Sequence, residues 1–163
     1  MPTHYNVLFL CTGNSARSIM AEAILNHKAN GGMTAYSAGS HPSGVPRAEA
    51  LKQLASAGIS TEGLRSKSWD EFAVPGGPHM DFVLTVCDNA ASEPCPFWPG
   101  QPMTAHWGVS DPAAVEGTPE QVARAFTDAF TVLDRRIGLF LALSHATLEQ
   151  HAMRREIESI GQS

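Results

Sequence analysis

The residues with the most chemical potential in this chain are Cys11, Arg17 and Ser18, in the string Cys11-Thr12-Gly13-Asn14-Ser15-Ala16-Arg17-Ser18. An apolar run, Val7-Leu8-Phe9-Leu10, precedes it and reads as a buried strand. Ile19, Met20, Ala23 and Ile24 follow at helical spacing. The order is therefore strand, tight loop, helix. In such a loop backbone N–H groups turn inward, and the helix N-terminus adds partial positive charge, which makes a bowl for a small anion. Thr12, Gly13, Asn14, Ser15, Ala16 and Arg17 line it. Cys11 at its mouth is expected to have a depressed pKa and to act as a nucleophile. The planar fork of Arg17 matches two oxygens of a tetrahedral oxyanion. Ser18 is placed to hydrogen-bond the Cys11 sulfur and help it leave.

The segment Val7 to Glu22, with Cys-x5-Arg-Ser inside the longer Cys-Thr-Gly-Asn-Ser-x-Arg-Ser-x-Met-Ala-Glu, resembles the signature of the low-molecular-weight tyrosine-phosphatase superfamily. Within it, the chain is most similar to the arsenate reductases built on that fold. The string His106-Trp107-Gly108-Val109-Ser110-Asp111-Pro112-Ala113 is also similar to the arsenate-reductase form. The resemblance implies that Asp111, followed by the stiffening Pro112, is the general acid that protonates a leaving oxygen.

Two further thiols separate the two activities of that superfamily. A phosphatase needs neither Cys87 nor Cys95. A reductase needs an electron store, and thiols supply one in a chain without a cofactor motif. The resemblance implies a relay in which Cys87 attacks the sulfur of a Cys11–arsenic adduct and Cys95 takes over the disulfide. Thioredoxin, or a glutaredoxin or low-molecular-weight thiol system, would then supply electrons. Ala113-Ala114 after the Asp-Pro pair offer no aromatic wall for a phosphotyrosine ring, and a small oxyanion, arsenate or phosphate, needs none. The alternative activity is hydrolysis of phosphotyrosine or small phosphoesters by the same Cys11, Arg17 and Asp111. A third reading, from another class, is a non-catalytic oxyanion or redox sensor.

Some positions depart from the superfamily's pattern. Ala16 stands where a second loop cysteine is frequent, which excludes a disulfide within the loop. Asn14, Glu22 and Ser37 match part of a potassium site known in some members, but Trp69 falls where a carboxylate would complete it, so no such site is expected. The cysteines and His106 lack the close Cys-Cys pair of a zinc site, and no metal or other cofactor is expected.

The elements that must hold these residues can be read along the chain. Thr34–Ser40 reads as a second strand, and Pro46 suits the first turn of a helix carrying Leu51, Leu54 and Ala55 and ending at Gly58. Ser66–Phe72 reads as a short helix or turn, Asp81–Val86 as a third strand ending on Cys87, and Asp88–Gln101 as a loop. Met103–Trp107 is a fourth strand. Thr118-Pro119-Glu120-Gln121 has the form of a capping box opening a helix with a stripe of Val122, Phe126, Phe130, Leu133, Ile137 and Phe140. A last helix surrounds Leu148, Met153, Ile157 and Ile160. Strands alternating with helices give an α/β class with a central four-stranded parallel sheet between helices, a three-layer sandwich, with Cys11 and Cys87 on the same carboxyl edge.

The 163 residues suit one domain, 1–163. A net charge of -5 without a basic stripe argues against nucleic acid, and no stretch approaches a membrane span. Three cysteines without a secretion signal point to free thiols in a reducing, cytoplasmic setting.

Overall fold

A run of apolar residues that leaves no polar face belongs between two layers. In the computed structural model, Val7 to Leu10 form the buried part of β1 (Tyr5–Leu10), with no side of the strand wet. The structure describes residues 5–29, 32–74, 76–87, 102–143 and 150–162. Strand β1 pairs in parallel with β2 (Met33–Ala38) on one side and with β3 (Phe82–Thr85) on the other. Strand β3 pairs in parallel with β4 (Met103–His106), so the order is β2-β1-β3-β4.

Period-two alternation divides β1 between two cores. Val7 and Phe9 face a large cluster with α1 (Arg17–Lys28), α2 (Ala48–Ser56), α4 (Pro119–Leu143) and α5 (Gln150–Ile160). Leu8 and Leu10 face a smaller cluster with Val83, Met80 and Phe72 of the four-residue α3 (Asp70–Ala73). Helical layers thus cover both faces, unequally, and the expected three-layer α/β sandwich is present. Phe126, Leu133, Ile137 and Phe140 of α4 are buried along one stripe. Burial of each stabilises the fold by roughly 1.5–3 kcal/mol relative to exposure. Trp107, just past β4, is fully buried against Phe9 and Phe140, and its indole N–H donates to the Ile157 carbonyl at 2.9 Å, tying α5 to the sheet.

The capping box forms as the sequence predicts. Thr118 N–H donates to Gln121 Oε1 at 2.8 Å, and Gln121 N–H donates to Thr118 Oγ1 at 3.2 Å. Gly58, at φ 78°, follows the end of α2 in the left-handed conformation that favours glycine. The start of α2 differs from expectation. It begins at Ala48, two residues after Pro46, because the Arg47 N–H is engaged by the Ser15 carbonyl at 2.7 Å and residue 47 stays extended. Among the described residues, no helix is long and apolar enough to cross a membrane.

Candidate active site

The loop from Cys11 to Ala16 joins β1 to α1 at the carboxyl edge of the sheet. Its shape is set by what grips its carbonyls. The Thr12 carbonyl accepts from His41 N–H, the Gly13 carbonyl from Ser43 N–H, both at 2.9 Å, and the Ser15 carbonyl from Arg47 N–H. Ser66 Oγ also donates to the Gly13 carbonyl, at 3.3 Å. In a trans peptide the N–H opposes the C=O. Carbonyls held toward residues 41–47 therefore turn the amides of Gly13, Asn14 and Ala16 the other way, the arrangement an anion bowl requires.

Two residues make this loop possible. Asn14 is fully buried and adopts φ 45°, uncommon for a residue with a side chain. Its amide is fixed at both ends: Nδ2 donates to Ser18 Oγ at 2.8 Å, and Oδ1 accepts from the Lys67 N–H at 2.8 Å. Gly39 lies directly under the loop. A Cβ there would stand 2.6 Å from the Cys11 carbonyl oxygen and would also strike the Thr12 carbonyl.

Arg17 opens α1 and reaches across to the segment after β4. Its Nη1 donates to the Val109 carbonyl at 2.9 Å, and Nη2 stands 3.5 Å from Asp111 Oδ2. Its Nε is buried without a hydrogen-bond partner. Asp111 caps a short 3-10 turn, Pro112–Ala114, by accepting the Ala113 N–H at 2.9 Å. Its carboxyl is held on one side by that cap and on the other by Arg17, half-exposed at the rim of the bowl.

Cys11 and Cys87 lie together, both buried and both free thiols. The two side chains lie close enough that the Cys87 sulfur is the strongest influence on the Cys11 proton. This overturns one expectation. The neighbouring Cys87 sulfur, and then burial, push the Cys11 thiol up, against the downward pull of Arg17 and of the Gly13 amide. The expected depression fails because the Cys87 sulfur and burial outweigh Arg17 and the Gly13 amide. The Thr12 N–H donates to Cys87 Sγ at 3.2 Å, and Thr12 Oγ1 lies 3.6 Å from the same sulfur. The Ser18 hydroxyl accepts from Asn14 Nδ2 at 2.8 Å, which leaves its own proton to donate.

The structure therefore brings together Cys11, the loop residues Thr12 to Arg17, Ser18, Asp111 and Cys87. Cys95 lies outside the described residues. Sequence reasoning missed the contacts of Thr12 with Cys87, the clamp from His41, Ser43 and Arg47, and Lys67. Lys67 sits in a polar Arg-Ser-Lys-Ser run, yet it is 7 % exposed. Its Nζ lies 3.6 Å from Glu22 Oε1 and donates to the Arg65 carbonyl at 2.8 Å and to Ser37 Oγ at 3.5 Å. The Ser37 hydroxyl in turn donates to Glu22 Oε1 at 2.6 Å.

A parallel four-stranded sheet with a Cys-x5-Arg anion loop after its first strand, and an Asp-Pro turn beyond its last, defines one class of protein. The profile of the low molecular weight phosphotyrosine protein phosphatase family matches residues 6–153, and the chain belongs to that family. Within it, the chain is 35% identical over 134 residues to an arsenate reductase of Shouchella clausii, covering 82% of this chain and 93% of the relative. Among solved structures it is similar to an arsenate reductase in a phosphate-binding state, at a TM-score of 0.66, 24% identity, and 85% and 97% of the two chains. It is also similar to a low molecular weight protein tyrosine phosphatase from T. tengcongensis, at a TM-score of 0.61, 26% identity, and 82% and 98% of the chains.

Proposed function

We propose that this protein is a thiol-dependent arsenate reductase. The observation that carries the reading is the direct contact of two free thiols, Cys11 and Cys87, beneath an anion bowl. Hydrolysis of a phosphoester uses one nucleophilic sulfur and water. Reduction of an oxyanion needs a second sulfur within reach of the first, and that is the feature this site adds.

In the proposed sequence, arsenate enters the bowl and is held by the amides of Gly13, Asn14 and Ala16 and by Arg17. Cys11 loses its proton and attacks arsenic. Asp111 gives a proton to the departing oxygen, which leaves as water. Cys87 then attacks the Cys11 sulfur. A Cys11–Cys87 disulfide forms, the sulfur–arsenic bond breaks, and its electron pair stays on arsenic, which falls from the +5 to the +3 state as arsenite. Cys95 attacks Cys87, giving a Cys87–Cys95 disulfide and freeing Cys11. A thioredoxin, or a glutaredoxin or low-molecular-weight thiol system, returns two electrons to that disulfide. The scheme treats 1–163 as one domain and requires a reducing compartment, the cytoplasm.

The closeness of the Cys11 and Cys87 sulfurs fits this order of events. Both sulfurs ionised at once would repel each other. Once Cys11 is spent in an arsenic adduct, Cys87 carries no such penalty, and the Thr12 amide still donates to its sulfur.

The test is arsenate-dependent consumption of reductant, with thioredoxin and glutathione–glutaredoxin systems in parallel and aryl phosphate hydrolysis beside them. Arsenate turnover that requires a thiol system supports the reading. Strong aryl phosphate hydrolysis without thiol-dependent arsenate turnover would make the protein a phosphatase.

A further inference from the structure

A buried ammonium group lies outside the reaction scheme. The Lys67 Nζ sits among Glu22 of α1, Ser37 of β2 and the Arg65 carbonyl; the hydroxyl is fully buried and the carboxylate largely so, its side chain 14% exposed. Burial pushes the Glu22 carboxyl up and the Lys67 ammonium down, so each charge depends on the other for its stability. The nearby Arg65 guanidinium is committed to Glu71, at 2.7 and 3.0 Å.

The backbone of the same residue holds the anion loop. The Lys67 N–H donates to Asn14 Oδ1, and the Lys67 carbonyl accepts the Gly39 N–H at 3.0 Å. Ser66, one residue earlier, donates from its hydroxyl to the Gly13 carbonyl. Gly39 in turn underlies Cys11 and Thr12. One residue therefore ties its side chain to α1 and β2 and its peptide groups to the floor and the most strained member of the bowl. Asn14 stays at positive φ only while its side chain is held.

We propose that Lys67 is a positioning residue for oxyanion binding: its buried ammonium, anchored on Glu22, Ser37 and the Arg65 carbonyl, fixes the segment that holds Asn14 and Gly13 in the anion-binding shape. The inference rests on the bowl being an oxyanion site. It does not depend on whether reduction or hydrolysis follows.

Removal of the ammonium leaves three oxygens facing an empty, cation-sized space. A small cation supplied from solution then replaces it, and a bulky one does not. The experiment is calorimetric titration of inorganic phosphate into the reduced full-length chain and into Lys67→Ala, each with added ammonium chloride or, at equal ionic strength, tetramethylammonium chloride. Arg17→Met serves as the control for binding in the bowl. Phosphate affinity is expected to fall at least 10-fold in Lys67→Ala and to recover substantially with ammonium alone. A role confined to general stability would move melting temperature without this cation selectivity. A folded Lys67→Ala chain that binds phosphate within twofold of the parent overturns the proposal, as does equal recovery with the two salts. If Lys67→Ala does not fold, the double variant Glu22→Gln/Lys67→Met, which leaves no buried charge unpaired, is titrated instead. Phosphate affinity within twofold of the parent overturns the proposal there, and a loss of at least 10-fold upholds it. A parent chain with no Arg17-dependent phosphate binding would remove the oxyanion site itself, and this inference with it.

Discussion

The backbone N–H of Thr12 donates to the sulfur of Cys87 at 3.2 Å, although the two residues are 75 positions apart in the chain. A loop amide next to the nucleophile thus serves the second thiol. Cys11 is left with Cys87 itself as the strongest influence on its proton.

Replacement of Cys87 should therefore make Cys11 easier to ionise. Cys11 holds its proton more tightly in the folded chain than at the ordinary thiol value of 9.0. That contribution to stability is full below the ordinary value and is lost as pH rises toward the folded-state midpoint. In Cys87→Ala the largest cause of the upward shift is gone. The midpoint for alkylation of Cys11, followed on its own peptide by mass spectrometry, should fall, and the alkaline loss of stability should shrink. An unchanged or higher midpoint would contradict the influence of Cys87 on the Cys11 proton.

Arg17 does two things, and lysine preserves neither. It holds the Val109 carbonyl and faces Asp111, and it keeps a buried Nε for substrate. A lysine carries the charge without the fork. Arg17→Lys should lower kcat/KM for arsenate by roughly 100-fold or more, the loss typical of removing a preorganised oxyanion donor. Steady-state kinetics with saturating reductant would check it, and a loss below about tenfold would deny Arg17 this role.

Asp111 is predicted to matter in proportion to the basicity of the leaving group. Asp111→Asn should reduce arsenate turnover by roughly 100-fold or more, as expected for a lost general acid. For an aryl phosphate with an acidic phenol, which departs without a proton, the loss should be much smaller. Equal losses for both substrates would show that the carboxylate merely orients Arg17.

Gly39→Ala would drive a methyl group into the carbonyls of Cys11 and Thr12. Backbone has no rotamer with which to yield. The fold should lose roughly 1–3 kcal/mol, as in other overpacked sites, and phosphate binding should weaken with it. Thermal unfolding and phosphate titration would read the two effects. A variant with parent-like affinity would show that the loop floor is not rigid.

The sheet and the placement of the site were legible in local patterns. The apolar Val7–Leu10 run, the strand ending before Cys87 and the Thr118–Gln121 capping box are features of neighbouring residues, and each appears where the pattern puts it. Strand ends at one edge then bring Cys11 and Cys87 together through topology alone. The ionisation of Cys11 was not legible, because it depends on how closely the Cys87 sulfur approaches and how deeply both are buried, a matter of ångströms. Lys67 was not legible either. Its neighbours in sequence are polar, and its burial comes from Glu22 and Ser37 on two other elements.

The sulfur-to-sulfur step is the centre of the proposed reaction, and a single-turnover experiment isolates it. Reduced protein is mixed with arsenate in the absence of any external thiol, and released arsenite is measured for the parent and for Cys87→Ser. The parent should release arsenite stoichiometrically, and Cys87→Ser should release essentially none while Cys11 remains reactive toward an alkylating agent. Undiminished arsenite release from Cys87→Ser would contradict the relay.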